Sequence, residues 1–156
     1  MSPTPLTDTL TIRRGRSDDA AAILAAEALF PGDRMSARSV RHFLRAPSAE
    51  VWVAVSADGV VGNLIWLQRR GSRSGRIYSL VIVPAARGRG GAERLITAAE
   101  NSARALGLTE MALEVRADND AARQLYHKLG YRLKNKLSGY YEDGGDGLKL
   151  VKTLIT

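Results

Sequence analysis

The apolar positions change period several times along the chain, and each change marks an element. "LTIRR" alternates over a few residues and predicts a short strand. In "SDDAAAILAAEALF" the residues Ala20, Ile23, Leu24 and Ala28 recur at helical spacing, with Ser17 as the expected N-cap and Asp18 and Asp19 suited to the positive end of the helix. "PGD" breaks that helix. "SARSVRHFLRA" predicts a second one, capped by Ser36, with Val40, Phe43 and Leu44 on one face and Pro47 beyond its end. The period then shortens. "VWVAVS" and "GVVGNLIWLQRR" flank the turn signal "ADG" as a hairpin, and "RIYSLVIV" follows the turn "GSRSG" as a third strand stopped by Pro84.

Helical spacing returns at Ala92, Leu95, Ile96, Ala99, Ala103 and Leu106, and Gly107 supplies the stop. "MALEVRA" reads as a strand, "NDAARQLYHKLG" as a helix closed by Gly130, and "YRLKNKL" and "GLKLVKTL" as two further strands. The order βααβββαβαββ points to an α/β fold of the α+β type, a mixed sheet with about four helices on its faces rather than a doubly wound one. Residues 1–9 read as a loose polar segment and 10–156 as a single domain without repeats or linkers.

Composition narrows the chemistry. A chain of 156 residues buries about two-thirds of its unfolded surface and keeps a core without staples. It has no cysteine, which removes disulfides, thiolate zinc sites and a thiol nucleophile. Its two histidines, His42 and His127, cannot build a His-rich metal site, and no metal is expected. No apolar run approaches the roughly 18 residues that cross a bilayer, and "MSPTPLTDTL" lacks the order of a signal peptide, so a cytoplasmic protein is expected. The net charge of +7 favours anionic partners: nucleic acid, an acidic surface or a phosphorylated cofactor. A basic surface with no specific ligand is the alternative.

The stretch "RGRGGAERL" bears on these. An RGG-type RNA segment is repeated and set in Gly-rich surroundings, whereas this run occurs once, between an apolar strand and a periodic helix. Its glycines suit a tight strand-to-helix turn with close backbone approach to a ligand. The bare N–H groups of the helix start then bind an anion, and Arg87 and Arg89 add charge. A P-loop needs Lys-Ser or Lys-Thr after the last glycine, where this chain has Ala92-Glu93, and a dinucleotide fingerprint needs a small residue where Glu93 stands.

"VIVPAARGRGGAERLI" resembles the cofactor loop of the GNAT superfamily of N-acetyltransferases, whose pattern of Gln or Arg, two residues, Gly, one residue, then Gly or Ala is matched by Arg87, Gly90 and Ala92. "LEVRADNDAARQLYHKLGY" resembles the second half of the GNAT core. "GYYEDGGDGLKL" is similar to the carboxyl-terminal segment of ribosomal-protein alanine N-acetyltransferases and related protein N-terminal acetyltransferases. The resemblance implies a GNAT fold with a mostly antiparallel sheet of six to seven strands, splayed between the fourth and fifth. It also implies acetyl-CoA as donor and an amine acceptor, either a protein N-terminus or a small amine such as a polyamine. Pyrophosphate would lie on the backbone of Arg87, Gly88, Arg89, Gly90, Gly91 and Ala92, and the pantetheine arm along Leu80, Val81 and Ile82. From the residues alone, the first group is a tight turn with solvated arginines and the second a buried strand.

Glu114 interrupts an apolar strand. A carboxylate there is costly unless solvated, paired or used, so it is either a general base, acting directly or through water, or the partner of Arg116 or Arg132. The resemblance places the base at this position and the general acid at Tyr126. Spacing alone makes Tyr126 a core aromatic on one helical face with Ala122, Leu125 and Leu129. Asn119 caps the next helix, binds the cofactor arm, or both. Tyr140 and Tyr141 line the acceptor groove by resemblance, or are exposed loop aromatics. The chain departs from its relatives at Gly145-Asp146-Gly147, where they usually carry Glu-Asp-Ala. Glu27, Asp33, Glu142 and Asp143 either draw a cationic amine or are solvated surface. Two other readings stay open: an acyl-CoA sensor, and a basic nucleic-acid-binding module, the disfavoured one, whose binding would weaken steeply with salt. Monomer and homodimer are both compatible with the sequence.

Overall fold

The computed structural model describes residues 9–30 and 35–154. The elements run β1 (Thr11–Arg14), a 3₁₀ turn (Ser17–Asp19), α1 (Ala20–Glu27), α2 (Ala37–Arg45), β2 (Ala49–Ser56), β3 (Gly59–Gln68), β4 (Ser74–Ile82), a second 3₁₀ turn (Pro84–Ala86), α3 (Gly91–Ala105), β5 (Glu110–Arg116), α4 (Asp120–Lys128), β6 (Arg132–Leu137) and β7 (Gly147–Thr153). This is the order expected from the hydrophobic pattern. The strands lie in one sheet in the order β1-β2-β3-β4-β5-β7-β6. Pairs β1–β2, β2–β3, β5–β7 and β6–β7 are antiparallel, and β4–β5 is parallel. The parallel ladder joins only Ser74–Arg76 to Glu110–Ala112, which is the expected splay between the fourth and fifth strands.

The chain falls into two compact units. The first takes the sequence up to Leu67 with Tyr78–Ala99, and the second takes Gln68–Ile77 with Glu100–Thr156. In the first, Ile23 of α1 and Val40 of α2 pack on Val51, Val53 and Ile65 of β2 and β3, with Met35, Phe43 and Leu44 around them. β3 is buried at every position from Val61 to Trp66, as a strand covered on both faces must be. The cap of α2 forms as expected, Ser36 Oγ accepting the Ser39 N–H at 3.0 Å. The expected cap at Ser17 does not form. Ser17 opens the 3₁₀ turn, and the buried Asp19 carboxylate accepts the Arg16 N–H at 2.7 Å while the Arg13 guanidinium holds its two oxygens at 2.8 and 3.0 Å. A charged acceptor outcompetes a hydroxyl for the same turn.

In the second unit both helix ends follow one rule. At the end of α3, Gly107 takes φ 82°, its N–H bonds Arg104 O, and the Leu108 N–H reaches back to Ala103 O, the paired bonds of a Schellman stop. Leu106 therefore does not continue the apolar face: it is 54% exposed, and the buried Leu108 takes its place against Ala103. At the end of α4, Gly130 adopts φ 95°, its N–H bonds His127 O, and the Tyr131 N–H bonds Tyr126 O. Tyr126 and Tyr131 are thus the two residues such a stop brings together.

Candidate active site

In the first unit, β4 ends at Ile82 and the chain reaches α3 through the Pro84–Ala86 turn and the Arg-Gly run. Gly88 and Gly90 have φ of 81° and 76°, and no other residue type has positive φ among the described residues. Glycine at both positions lets the backbone turn sharply twice just before the first turn of α3. The Arg87 N–H is taken by Pro84 O at 3.3 Å. Among the described residues, the N–H groups of Gly88, Gly90, Gly91 and Ala92 find no protein acceptor. They open on a cavity of about 390 Å³ lined by Ile82, Ala86 and residues 87–88 and 90–93. The Arg87 guanidinium lies over the Phe30 ring at 5.5 Å, so this side chain is stacked as well as exposed. The tight turn of the sequence reading is present, with the N–H groups of Gly88, Gly90, Gly91 and Ala92 unpaired among the described residues.

On β4, Val81 is buried and Leu80 and Ile82 are half-buried. Inside–outside alternation holds from Gly75 to Tyr78 and then breaks: Tyr78 stacks on Phe43 of α2 at 5.1 Å while its neighbour Ser79 donates to Glu27 of α1 at 2.7 Å. Two consecutive side chains thus reach α2 and α1.

In the second unit, Glu114 stands on β5 between the buried Leu113 and Val115 with its side chain 17% exposed. Its partner is neither Arg116 nor Arg132 but Arg76, whose Nε donates to Glu114 Oε2 at 2.9 Å. Arg76 is paired with Ala112 across the β4–β5 ladder. Alternation then puts Glu114, two residues on, on the same face. Arg116 instead holds Asp143 at 2.9 Å and Asp118 at 3.4 Å.

Tyr126 is 7% exposed. Its ring meets Tyr131 edge to face at 5.5 Å, and burial pushes its phenol above the ordinary value of 10.0. Its hydroxyl finds no hydrogen-bond partner among the described residues. Tyr131 donates to Glu100 Oε2 at 2.7 Å, and Lys152 Nζ holds Glu100 Oε1 at 3.0 Å. Sequence reasoning missed this network, although a signal existed: Glu100 follows Ala99 at the margin of the apolar face of α3, and Tyr131 follows the helix-stopping glycine.

Asn119 Oδ1 accepts the Ala122 N–H at 3.1 Å, so the capping reading is realised. Tyr140 and Tyr141 stack edge to face at 5.0 Å. Arg116 lies over the Tyr141 ring at 4.8 Å, and burial, then Tyr140, raises the Tyr141 phenol. Gly145 leaves room for that guanidinium, which a Cβ there would strike. Asp146 accepts the Gly139 N–H at 2.9 Å and pairs with Lys136. The segment that departs from the expected Glu-Asp-Ala thus has its own internal bonding. Of the acidic candidates, Asp143 is engaged by Arg116, Glu142 is exposed, and Asp33 lies outside the described residues. No group of three or more His, Cys, Asp or Glu among the described residues could hold a metal.

The sequence profile described as "Acetyltransferase (GNAT) family" matches residues 18–131. The chain belongs to the GNAT family. It is 32% identical over 114 residues to N-alpha-acetyltransferase 30 of Schizosaccharomyces pombe, covering 71% of this chain and 76% of that one. It is also 32% identical over 149 residues to the catalytic subunit NAA10 of the N-terminal acetyltransferase A complex of Arabidopsis thaliana, covering 92% and 77%. Ard1 from Thermoplasma volcanium has the same fold, with a TM-score of 0.85 at 23% identity over 94% of this chain and 99% of that one. As a GNAT acetyltransferase the protein is an acyltransferase whose donor is acetyl-CoA. The free amides at the head of α3, beside two arginines, suit the diphosphate of that donor. No helix among the described residues is long and apolar enough to cross a membrane.

Proposed function

We propose that this GNAT enzyme acetylates a primary amine, the N-terminal α-amine of a protein or peptide in the first instance. The observation that carries the proposal is the set of unpaired N–H groups at Gly88, Gly90, Gly91 and Ala92. They would hold the diphosphate at the positive end of α3, with Arg87 and Arg89 adding charge. The backbone of Leu80, Val81 and Ile82 would carry the pantetheine arm, and Asn119 would border it while capping α4. Bound acetyl-CoA supplies an activated acetyl group as a thioester.

Glu114 takes, directly or through water, the proton that the acceptor nitrogen loses on bonding the acetyl carbon. Tyr126 returns a proton to the sulfur released as the carbon–sulfur bond breaks. Burial keeps the Tyr126 phenol protonated through the physiological range, as a donor must be. Tyr140 and Tyr141 would line the acceptor groove. The choice of a peptide acceptor is supported by the relatives named N-alpha-acetyltransferase 30 and N-terminal acetyltransferase A complex catalytic subunit.

The test is to incubate the pure protein with acetyl-CoA and a panel of peptides and small amines, reading free thiol and the masses of the products. Acetylation of peptide α-amines is expected. Acetylation confined to small amines overturns the peptide assignment, and no thiol release above the no-enzyme rate for any acceptor overturns the activity.

A further inference from the structure

Asn63 sits in the middle of β3 with no exposed surface, in a run of apolar residues. Its Nδ2 donates to Glu27 Oε2 at 2.8 Å, and Ser79 Oγ donates to the same oxygen at 2.7 Å. Its Oδ1 has no hydrogen-bond partner, the buried side-chain atom in that position among the described residues. Turning the amide over would set Oδ1 against a carboxylate oxygen, so the orphan is forced by Glu27. Leaving a buried acceptor unpaired costs stability, and an apolar residue would pack the strand without that cost. Something other than stability accounts for the amide.

What the amide does is aim the carboxylate. Both donors converge on Oε2 and leave Glu27 Oε1 without a partner among the described residues. The anchoring Ser79 lies where the alternation of β4 breaks, next to Leu80, the first residue assigned above to the pantetheine arm. A half-buried carboxylate with one oxygen open, fixed beside that strand, is a receptor for a positively charged nitrogen.

We propose that Glu27 is a specificity-determining residue that binds the ammonium group of the acceptor, with Asn63 and Ser79 as positioning residues that hold its carboxylate. The inference rests on the acetyl-transfer reading and deepens it. Glu27 draws the acceptor to the strand as its ammonium, which gives one proton to water before the neutral amine reacts.

Steady-state kinetics with the best acceptor of the panel, together with calorimetric titration of CoA, tests this. Glu27→Gln keeps the size and an acceptor for Asn63 and Ser79 but removes the charge, so the acceptor KM rises about tenfold or more while the CoA Kd stays put. Asn63→Leu removes the orphan atom together with one of the two donors that hold Glu27, Ser79 remaining. It is expected to raise the acceptor KM several-fold with thermal stability unchanged or higher, a combination that a purely structural asparagine does not give. An unchanged acceptor KM in Glu27→Gln, with the wild type active, overturns this inference and leaves the acetyl-transfer reading standing. A CoA Kd that weakens as much as the acceptor KM also overturns it. An inactive wild type overturns both.

Discussion

Arg76 Nε donates to Glu114 Oε2 at 2.9 Å, and Arg76 is also the last β4 residue to pair with β5. The guanidinium thus holds the carboxylate at the point where the parallel ladder ends and β5 runs on. With Arg76 nearly half exposed, the pair adds about 1 kcal/mol or less to stability. Glu114→Gln is therefore expected to unfold at nearly the wild-type temperature and to bind CoA with nearly wild-type affinity. Turnover is expected to fall by about 10²- to 10⁴-fold. A large loss of stability with turnover per folded molecule retained would assign Glu114 to structure instead.

Tyr126→Phe separates the phenol from the ring. Phe preserves the edge-to-face contact with Tyr131, and the hydroxyl it removes bonds no described protein group. Stability below pH 10 is expected to be equal or slightly greater, and kcat to drop with CoA affinity intact. Unchanged kcat would leave Tyr126 a core aromatic. The folded-state value of this phenol is raised above 10.0, so its contribution to stability is fully present below pH 10 and is lost as pH rises toward the folded value. Stability curves against pH should show that alkaline loss weakened in Tyr126→Phe.

Gly90→Ala tests the turn. No atom lies within 4 Å of an added Cβ, but φ is +76°, and an L-residue with a side chain there costs about 1–2 kcal/mol. A fall in stability of that size, together with a weaker CoA Kd by calorimetry, is expected. Stability lost with CoA affinity untouched would remove the turn from the binding site.

Asp19 gives an acid-side prediction. The Arg13 hydrogen bonds hold its carboxyl below the ordinary 3.8, against the upward push of burial. A depressed folded-state value means that the stabilisation is complete above pH 3.8 and is lost as pH falls through the folded value. Asp19→Asn should lower stability at neutral pH by about 1.5–3 kcal/mol. It should also flatten the acid limb of the stability curve below pH 4, which an unaltered limb would contradict.

Local chemistry carried much of this molecule into its sequence. The helix stops were legible because only glycine readily takes positive φ, and the Gly107 and Gly130 stops determine which neighbours are buried, Leu108 and Tyr131 included. The same rule applied to Leu106 shows that it lies past the last turn. The partner of Glu114 was not legible, because a parallel pairing between distant segments leaves no local mark and Arg76 looks like any strand arginine. Asn63 could have been singled out by the rule that singled out Glu114, a polar residue inside an apolar strand. Its link to Glu27 depends on how α1 packs on the sheet.

A crystal structure of the protein with CoA tests the central claim most directly. Diphosphate oxygens within hydrogen-bonding distance of the N–H groups of Gly88, Gly90, Gly91 and Ala92 are the predicted result. A diphosphate anchored elsewhere, with those nitrogens bonded to solvent alone, would contradict the account.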